Sequence, residues 1–171
     1  MTILTRLCVA DGSWEVFEAD WSRQCAEFDE TLDSFAPAHV PMLKAAATKE
    51  PKSGAFALPF DDHHAAACQL NCTPLPGYDG PVLRLRFLTL SPRYDLGNTE
   101  RETYREILVR LLQGVLDVSD TLWPARHVKF HLASPADKDF FEEVGKPLDA
   151  SGVFENVGVK GSWLYISKSK L

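Results

Sequence analysis

Residues 82–94 read Val-Leu-Arg-Leu-Arg-Phe-Leu-Thr-Leu-Ser-Pro-Arg-Tyr, and no other segment says more about the fold of this chain. Apolar and charged residues alternate through its first half, which is the two-residue period of a β-strand. We therefore expect the first two leucines and Phe87 on one face and Arg84 and Arg86 on the other. Pro92 ends the strand, because proline cannot donate a hydrogen bond to a sheet ladder.

The segments that follow predict a helix, a strand, a second helix and two closing strands. Thr99 and Glu102 have the spacing of a capping box, and the apolar residues behind them recur at helical spacing. His127 to Ala133 alternates as a strand. Ser134-Pro135 is typical of a helix start, and we expect that helix to end at Gly145. The closing strands are predicted at residues 153–159 and 163–167.

The first half predicts a strand, two helices and two strands. Trp21 to Phe35 carries apolar residues at steps of three and four, with Asp20 as the N-cap, and Pro41 opens a second helix. The strands are predicted at residues 3–9, 55–59 and 64–72. The whole order is β-α-α-β-β-β-α-β-α-β-β. It indicates an α+β fold with a mixed, mostly antiparallel sheet flanked by helices.

The composition indicates a cytoplasmic protein with one domain, residues 1–171. A length of 171 residues suits one core, and the net charge of −6 with no basic stripe argues against a nucleic-acid partner. No apolar window is long enough to span a membrane. The cysteines fit reduced thiols. Cys68 and Cys72 are spaced C-x3-C rather than as a zinc knuckle, and we expect them on one strand face.

The run Asp61-Asp62-His63-His64 is the densest group of potential metal ligands. Neighbouring side chains in a turn point in different directions, and aspartates are common in turns. We therefore predict a turn and no metal site, with a site completed by distant residues as the alternative.

The segment Leu88-Thr89-Leu90-Ser91-Pro92-Arg93-Tyr94 resembles the end of the fourth strand in the GNAT superfamily of N-acyltransferases. The order of elements is similar over essentially the whole chain. The resemblance implies a GNAT fold that binds acetyl-CoA or another acyl-CoA, with the diphosphate held by backbone amides at a helix start. It implies these cofactor contacts: Leu88, Thr89, Leu90, Arg93, Tyr94, Gly97, Asn98 and Thr99.

The chain departs from the family pattern at two places. Asp95 stands where a basic or amide residue is expected, and Gly97 is the only glycine of that loop. The helix segment Phe140-Phe141-Glu142-Glu143-Val144-Gly145 is similar to a second family signature, but Phe141 replaces a tyrosine that often protonates the departing thiolate. A phenyl ring cannot donate a proton, so we expect Phe141 to be a core residue.

Arg84, Arg86 and His131 are the candidates for acceptor binding and proton transfer. Guanidinium groups on a central strand need anionic partners when they are buried, and one candidate partner is a carboxylate or phosphate of the substrate. The alternatives are pairing with acids such as Glu142 or Glu155, or exposure to water. Residues 82–90 contain no carboxylate to serve as a base, so His131 takes that role, although it and its neighbour His127 also fit a solvent-facing strand edge.

The sequence therefore predicts a diverged acyltransferase that moves an acyl group from acyl-CoA to the amine of a small molecule. The alternative is a non-catalytic GNAT-fold protein that binds a ligand or partner, and a third interpretation is an unrelated α+β domain. The family resemblance also implies self-association, as a homodimer.

Overall fold

The structure is a computed structural model that describes residues 3–169. The strands are β1 (Thr5–Leu7), β2 (Ser53–Phe60), β3 (His63–Pro74), β4 (Pro81–Leu90), β5 (His127–His131), β6 (Phe154–Lys160) and β7 (Trp163–Lys168). The helices are α1 (Ser13–Ala26), α2 (Leu32–Phe35), α3 (His39–Ala46), α4 (Pro92–Asp95), α5 (Arg101–Asp120) and α6 (Pro135–Ala150).

The seven strands of the described residues form one sheet in the order β1-β2-β3-β4-β5-β7-β6. Strands β4 and β5 pair in parallel, and every other neighbouring pair is antiparallel. A parallel pair needs a long crossover connection, which α5 provides. The predicted α+β class and the mixed, mostly antiparallel sheet are confirmed.

Helices cover both faces of the sheet and enclose two apolar cores. Helices α5 and α6 pack on one face, where Leu111, Phe141 and Phe130 of β5 belong to one buried apolar cluster. Helices α1 to α3 pack on the other face, where the rings of Trp14 and Trp21 lie against the alanines of β2 and β3. Small alanine side chains let these helices approach the sheet closely.

Helix α1 starts at Ser13 rather than after Asp20, so the predicted helix from Trp21 to Phe35 is wrong at both ends. The apolar stripe extends back to Trp14, and Asp29 has a left-handed φ of 55°, which interrupts the helix. Asp20 lies inside α1, where its carboxylate accepts hydrogen bonds from the backbone N–H of His64 at 2.8 Å and from Gln24 at 3.3 Å. These contacts tie α1 to β3.

Two predicted helix ends are also corrected. The Thr99 hydroxyl donates to the carbonyl oxygen of Tyr94 at 2.9 Å instead of capping α5, whose N-cap is Glu100. Helix α6 starts at the predicted Ser134 cap but continues past Gly145 to Ala150. Gly145 does not end the helix, and the left-handed turn comes at Gly152 instead, with a φ of 69°.

A β-bulge divides β4. Ala67 of β3 pairs with Thr89 and Gln69 with Arg86, so one residue of β3 faces two of β4. Phe87 takes a left-handed φ of 53°, which is uncommon for a bulky residue. The extra residue turns Phe87 toward the α1–α3 core, so its predicted place beside the first two leucines of the strand is wrong.

All four cysteines are buried and free, and Cys68 and Cys72 belong to the same core cluster. Their predicted position on one strand face is confirmed, and burial raises the pKa of the Cys68 thiol. Within residues 3–169, no helix combines the length and apolar character needed to cross a bilayer.

Candidate functional site

A cleft opens where β4 and β5 separate. Their parallel pairing runs from Val82–His127 to Leu85–Phe130 and stops there, because the bulge follows at Phe87. Beyond this point, no strand of the described residues 3–169 pairs with the edge of β4 that faces β5. Two adjoining cavities occupy the space, and both are lined by His39 and Ala133.

The larger cavity, called the acidic cavity below, has a volume of about 460 Å³. It lies between residues 35–39, residues 88–90 at the end of β4, and the start of α6, and it also includes Asp95, Tyr104 and Asp137. The smaller one, the cationic cavity, has a volume of about 250 Å³. It is lined by His39, Arg86, Phe87, His131, Ala133 and Trp163.

A hydrogen bond between two helices closes one side of the acidic cavity. The hydroxyl of Tyr104 on α5 donates to the carboxylate of Asp137 on α6. The same carboxylate accepts the backbone N–H groups of Ala133 at 3.2 Å and Ser134 at 3.0 Å, while the Ser134 hydroxyl accepts the N–H of Asp137. This reciprocal capping box fixes the start of α6 beside the cavity.

Burial raises the pKa of Asp95 in this cavity, and the nearby carboxylate of Asp137 raises it further. Burial together with the hydrogen bond to Asp137 raises the pKa of Tyr104. Tyr104 therefore keeps its proton at neutral pH, and Asp95 holds its proton more tightly than an exposed aspartate does.

His39 lies at the junction of the two cavities with a defined orientation. The Thr89 hydroxyl donates to the carbonyl oxygen of Phe87 at 3.3 Å and lies 2.7 Å from Nδ1 of His39. In the tautomer that fits a hydroxyl proton directed at Phe87, His39 Nδ1 donates to Thr89. Its Nε2 is then left with a lone pair that can accept a proton.

The predicted cofactor contacts Arg93 and Tyr94 have partners away from the acidic cavity. Arg93 forms an ion pair with Glu27 at 3.1 Å, and the Tyr94 hydroxyl lies 2.9 Å from Nε2 of His63. Neither side chain lines the cavity, whereas the predicted contacts Leu88, Thr89 and Leu90 do.

The segment from Gly97 to Glu100 offers backbone donors. Within residues 3–169, none of its four backbone N–H groups has a hydrogen-bond acceptor. A Cβ atom at Gly97 would lie 2.2 Å from the carbonyl oxygen of Arg93, so the loop requires glycine there. Free N–H groups at the start of α5, with Arg101 next in the chain, suit an anion.

The cationic cavity brings together two residues that the sequence predicted. Burial lowers the pKa of His131, and the charges of Arg86 and His39 lower it further. Arg86 lies with its guanidinium carbon 5.0 Å from the centre of the Phe87 ring.

Arg84 is separate from this cavity. Its Nε donates to the side-chain oxygen of Asn71 at 3.1 Å, and it does not line the cavity. The acids considered as partners for the strand arginines bind elsewhere, because Glu155 pairs with Arg126 and Glu142 with Lys138. The prediction that Arg84 binds substrate stays a prediction.

Phe141 is a core residue, as predicted from its apolar side chain. It is buried, and its ring centre lies 5.0 Å from that of Phe130 and 4.9 Å from that of Phe140. The solvent-facing interpretation of His127 is wrong. His127 is buried, with Nε2 at 2.5 Å from the Asp79 carboxylate.

The Asp61–His64 turn is present, but its histidines diverge. His63 lies against Tyr94, whereas Nδ1 of His64 lies 2.9 Å from the Asp20 carboxylate. The part of the chain that the structure describes contains no group of three side chains placed to hold a metal ion.

Sequence reasoning missed His39, Tyr104 and Asp137. His39 meets Thr89 across 50 residues of chain. Tyr104 fits the apolar stripe of α5, so the sequence pattern does not indicate that its hydroxyl lines a site. The spacing of Ser134 and Asp137 was visible, and it could have been recognised as a capping box.

No protein-family model and no curated protein matches the sequence. Solved structures do match. A probable acetyltransferase from Staphylococcus epidermidis ATCC 12228 is 16% identical, with 97% of this chain and 98% of that chain covered and a TM-score of 0.50. An N-acetyltransferase from Staphylococcus aureus Mu50 is 10% identical, with 96% of each chain covered and a TM-score of 0.50.

The GNAT domain of a protein named PAT from S. lividans is 10% identical, with 95% of this chain and 87% of that chain covered and a TM-score of 0.47. The likeness to the two staphylococcal proteins extends over nearly the whole of this chain. The chain has the GNAT fold, as the resemblance in residues 88–94 implied.

Proposed function

We propose that this GNAT-fold protein transfers an acyl group from acetyl-CoA or another acyl-CoA directly to the amine of a small molecule. The observation that carries the proposal is the pair of cavities at the separation of β4 and β5, which share the lining residues His39 and Ala133. Direct transfer requires that two substrates meet in a fixed orientation, and adjoining cavities allow this.

The acidic cavity and the loop beside it fit an acyl-CoA. The backbone of residues 88–90 has no strand partner on the β5 side and can bind the amides of a pantetheine arm. The free N–H groups of Gly97 to Glu100 and the exposed side chain of Arg101 can bind the diphosphate. The Asp95 carboxylate repels an anion. Its raised pKa weakens this repulsion, because a larger fraction of the carboxyl group is protonated at a given pH. When bound, acyl-CoA would supply the activated thioester.

The acceptor amine arrives largely protonated at neutral pH and must lose a proton before it can attack. Two histidines can accept this proton. His131 lines the cationic cavity, and its lowered pKa keeps it neutral to lower pH. His39 lines both cavities with Nε2 available, so it lies where the amine and the thioester would meet. We therefore favour His39 as the general base and keep His131 as the second candidate.

The departing thiolate would take its proton from water. Phe141 has no proton to give, and Tyr104 has a raised pKa and donates its hydroxyl to Asp137. A thiolate is a stable leaving group near neutral pH, so direct transfer does not depend on a dedicated acid.

The test combines a binding assay with a transfer assay. We expect acetyl-CoA to raise the melting temperature, since a ligand that binds only the folded state stabilises it. We also expect a panel of small amines to release free thiol from acetyl-CoA. No thermal shift at millimolar acetyl-CoA would contradict the proposal. Binding without thiol release from any amine would favour the non-catalytic alternative.

Several sequence expectations remain proposals: one domain over residues 1–171, a small-molecule rather than a nucleic-acid partner, a cytoplasmic location, and self-association as a homodimer.

A further inference from the structure

We propose that the acceptor amine also carries a carboxylate, and that Arg86 binds this carboxylate in the cationic cavity. The inference rests on the proposed function, because it names the substrate class of the same cleft.

Arg86 differs from every other arginine of the chain. Within residues 3–169 it alone among the arginines has a side chain with no hydrogen bond and no ion pair. Seven of the other arginines donate a hydrogen bond to a carbonyl, an amide or a carboxylate group: Arg6, Arg23, Arg84, Arg93, Arg105, Arg110 and Arg126. Arg101 forms an ion pair with Glu143 at 3.7 Å. A guanidinium that lines a cavity with no anionic partner is suited to an anion from outside.

The position of Arg86 is fixed by its neighbours. Its backbone pairs with Gln69 of β3, and the bulge at Phe87 follows immediately. Its guanidinium carbon lies 5.0 Å from the centre of the Phe87 ring, a cation–π contact that restricts the side chain. A restricted guanidinium loses less conformational entropy when it binds a ligand.

The walls of the cavity exclude other kinds of acceptor. None of the six lining residues is acidic. Nζ of Lys129 lies 4.6 Å from the centre of the Trp163 ring and adds positive charge nearby. A substrate that carries only amines would meet like charge here. A substrate with both an amine and an anion is neutral overall and meets an unpaired guanidinium.

The charge and volume of the cavity favour a carboxylate on a small molecule. The planar fork of one arginine matches the two oxygens of a carboxylate. Since the pKa of His131 is lowered, this histidine adds no full charge at neutral pH, and the cavity suits a monoanion better than a dianionic phosphate. Its volume of about 250 Å³ is below the range of about 300–1,000 Å³ that is usual for drug-sized ligands. An α-amino acid is of the appropriate size.

The binding test uses a matched pair of probes that lack an amine, 3-phenylpropionate and its neutral amide, measured by calorimetric titration without acyl-CoA. We expect the carboxylate to bind about tenfold more tightly than the amide, as a charge-assisted hydrogen bond allows. The Arg86→Gln variant should lose this preference. The Arg110→Gln control, which removes an arginine paired with Glu106 on α5, should keep it.

A third variant, Arg86→Lys, keeps the charge without the fork, and we expect an intermediate preference. Melting temperatures of all variants check that each is folded. Equal binding of both probes to the wild-type protein would overturn the inference. So would a preference that survives in Arg86→Gln.

Failure of the inference can be distinguished from failure of the proposed function. If acetyl-CoA does not bind but the carboxylate preference depends on Arg86, the anion site stands and acyl transfer is wrong. A transfer assay with phenylalanine and phenylalaninamide as acceptors tests whether the inference fails while acyl transfer holds. Equal rates with the two acceptors would overturn the inference while leaving acyl transfer in place.

Discussion

The two cavities of the cleft share a strand and two lining residues, yet they carry opposite charge. The acidic cavity holds Asp95 and Asp137, while the cationic cavity holds Arg86 and His131. In the first, the donors available to a ligand are backbone N–H groups beside the cavity. In the second the main donor is the guanidinium group of Arg86. The end of the β4–β5 pairing sets the position of both cavities, whereas the side chains that line each cavity determine its charge.

The bulge at Phe87 separates the two cavities along β4. Arg86, before it, lines the cationic cavity, and residues 88–90, after it, line the acidic cavity. An ordinary strand would continue its alternation through this point. The left-handed φ of Phe87 shifts the alternation by one residue, so neighbouring positions serve different cavities.

The largest expected effect is at His39, where the cavities meet. If it is the general base, His39→Asn should lower kcat/KM about a hundredfold or more. The acidic limb of the pH profile of kcat/KM should also disappear, which a merely structural change would not cause. His131→Asn is the matched comparison and should keep that limb. An acidic limb lost only in His131→Asn would reverse the assignment.

A substitution at Asp137 tests the hydrogen bonds that close one side of the acidic cavity. Asp137→Ala removes a helix cap and leaves the Tyr104 hydroxyl without its acceptor, so the free energy of unfolding should fall by about 2–3 kcal/mol. Urea denaturation measures this loss. Asp139→Ala on the same helix removes an exposed carboxylate and should cost about 0.5 kcal/mol or less. Equal losses would show that the contact between α5 and α6 adds no stability.

Asp95→Asn makes the acidic cavity less acidic without changing its shape. Removal of one like charge near the diphosphate should tighten acetyl-CoA binding at neutral pH by about 1 kcal/mol, or about fivefold in Kd. Because the pKa of Asp95 is raised, its carboxyl group becomes neutral as the pH falls through that value. The gain should therefore shrink at acidic pH. Unchanged affinity at neutral pH would place the diphosphate away from Asp95.

The smallest expected effect is a change in the pKa of His131 in the cationic cavity. Since burial and then Arg86 lower the pKa of His131, its NMR titration midpoint should lie below about 6.5. In Arg86→Gln the midpoint should move upward, because the repulsive charge is gone and protonation becomes easier. An unchanged midpoint would mean that Arg86 and His131 do not act on each other in this cavity.

Much of the scaffold is predictable from the sequence, because the patterns involved are local. The apolar spacing of α5, the Ser134 cap and the alternation of β5 each lie within one element, and the observed elements agree. The core position of Phe141 is also predictable, because a phenyl ring on the apolar face of a helix packs in a core.

The site is less predictable because it depends on contacts between distant residues. The apolar residues of 82–90 change from odd to even positions at Phe87 and Leu88, but two adjacent apolar residues do not by themselves identify a bulge, so Phe87 is placed on the wrong face. His39 meets Thr89 only after α3 packs beside β4. Arg84 and Arg86 look equivalent in sequence, and only the neighbouring Asn71 and the bulge distinguish them.

The most direct test of the central claim, that the acidic cavity and the start of α5 bind an acyl-CoA, is backbone amide NMR during an acetyl-CoA titration. We expect the largest chemical-shift changes at Gly97 to Glu100 and at residues 88–90, with small changes at Trp163 while no acceptor is present. The contradicting result is an absence of shifts at millimolar acetyl-CoA. Shifts confined to the distant groove lined by Arg126 and Lys168 would contradict it equally.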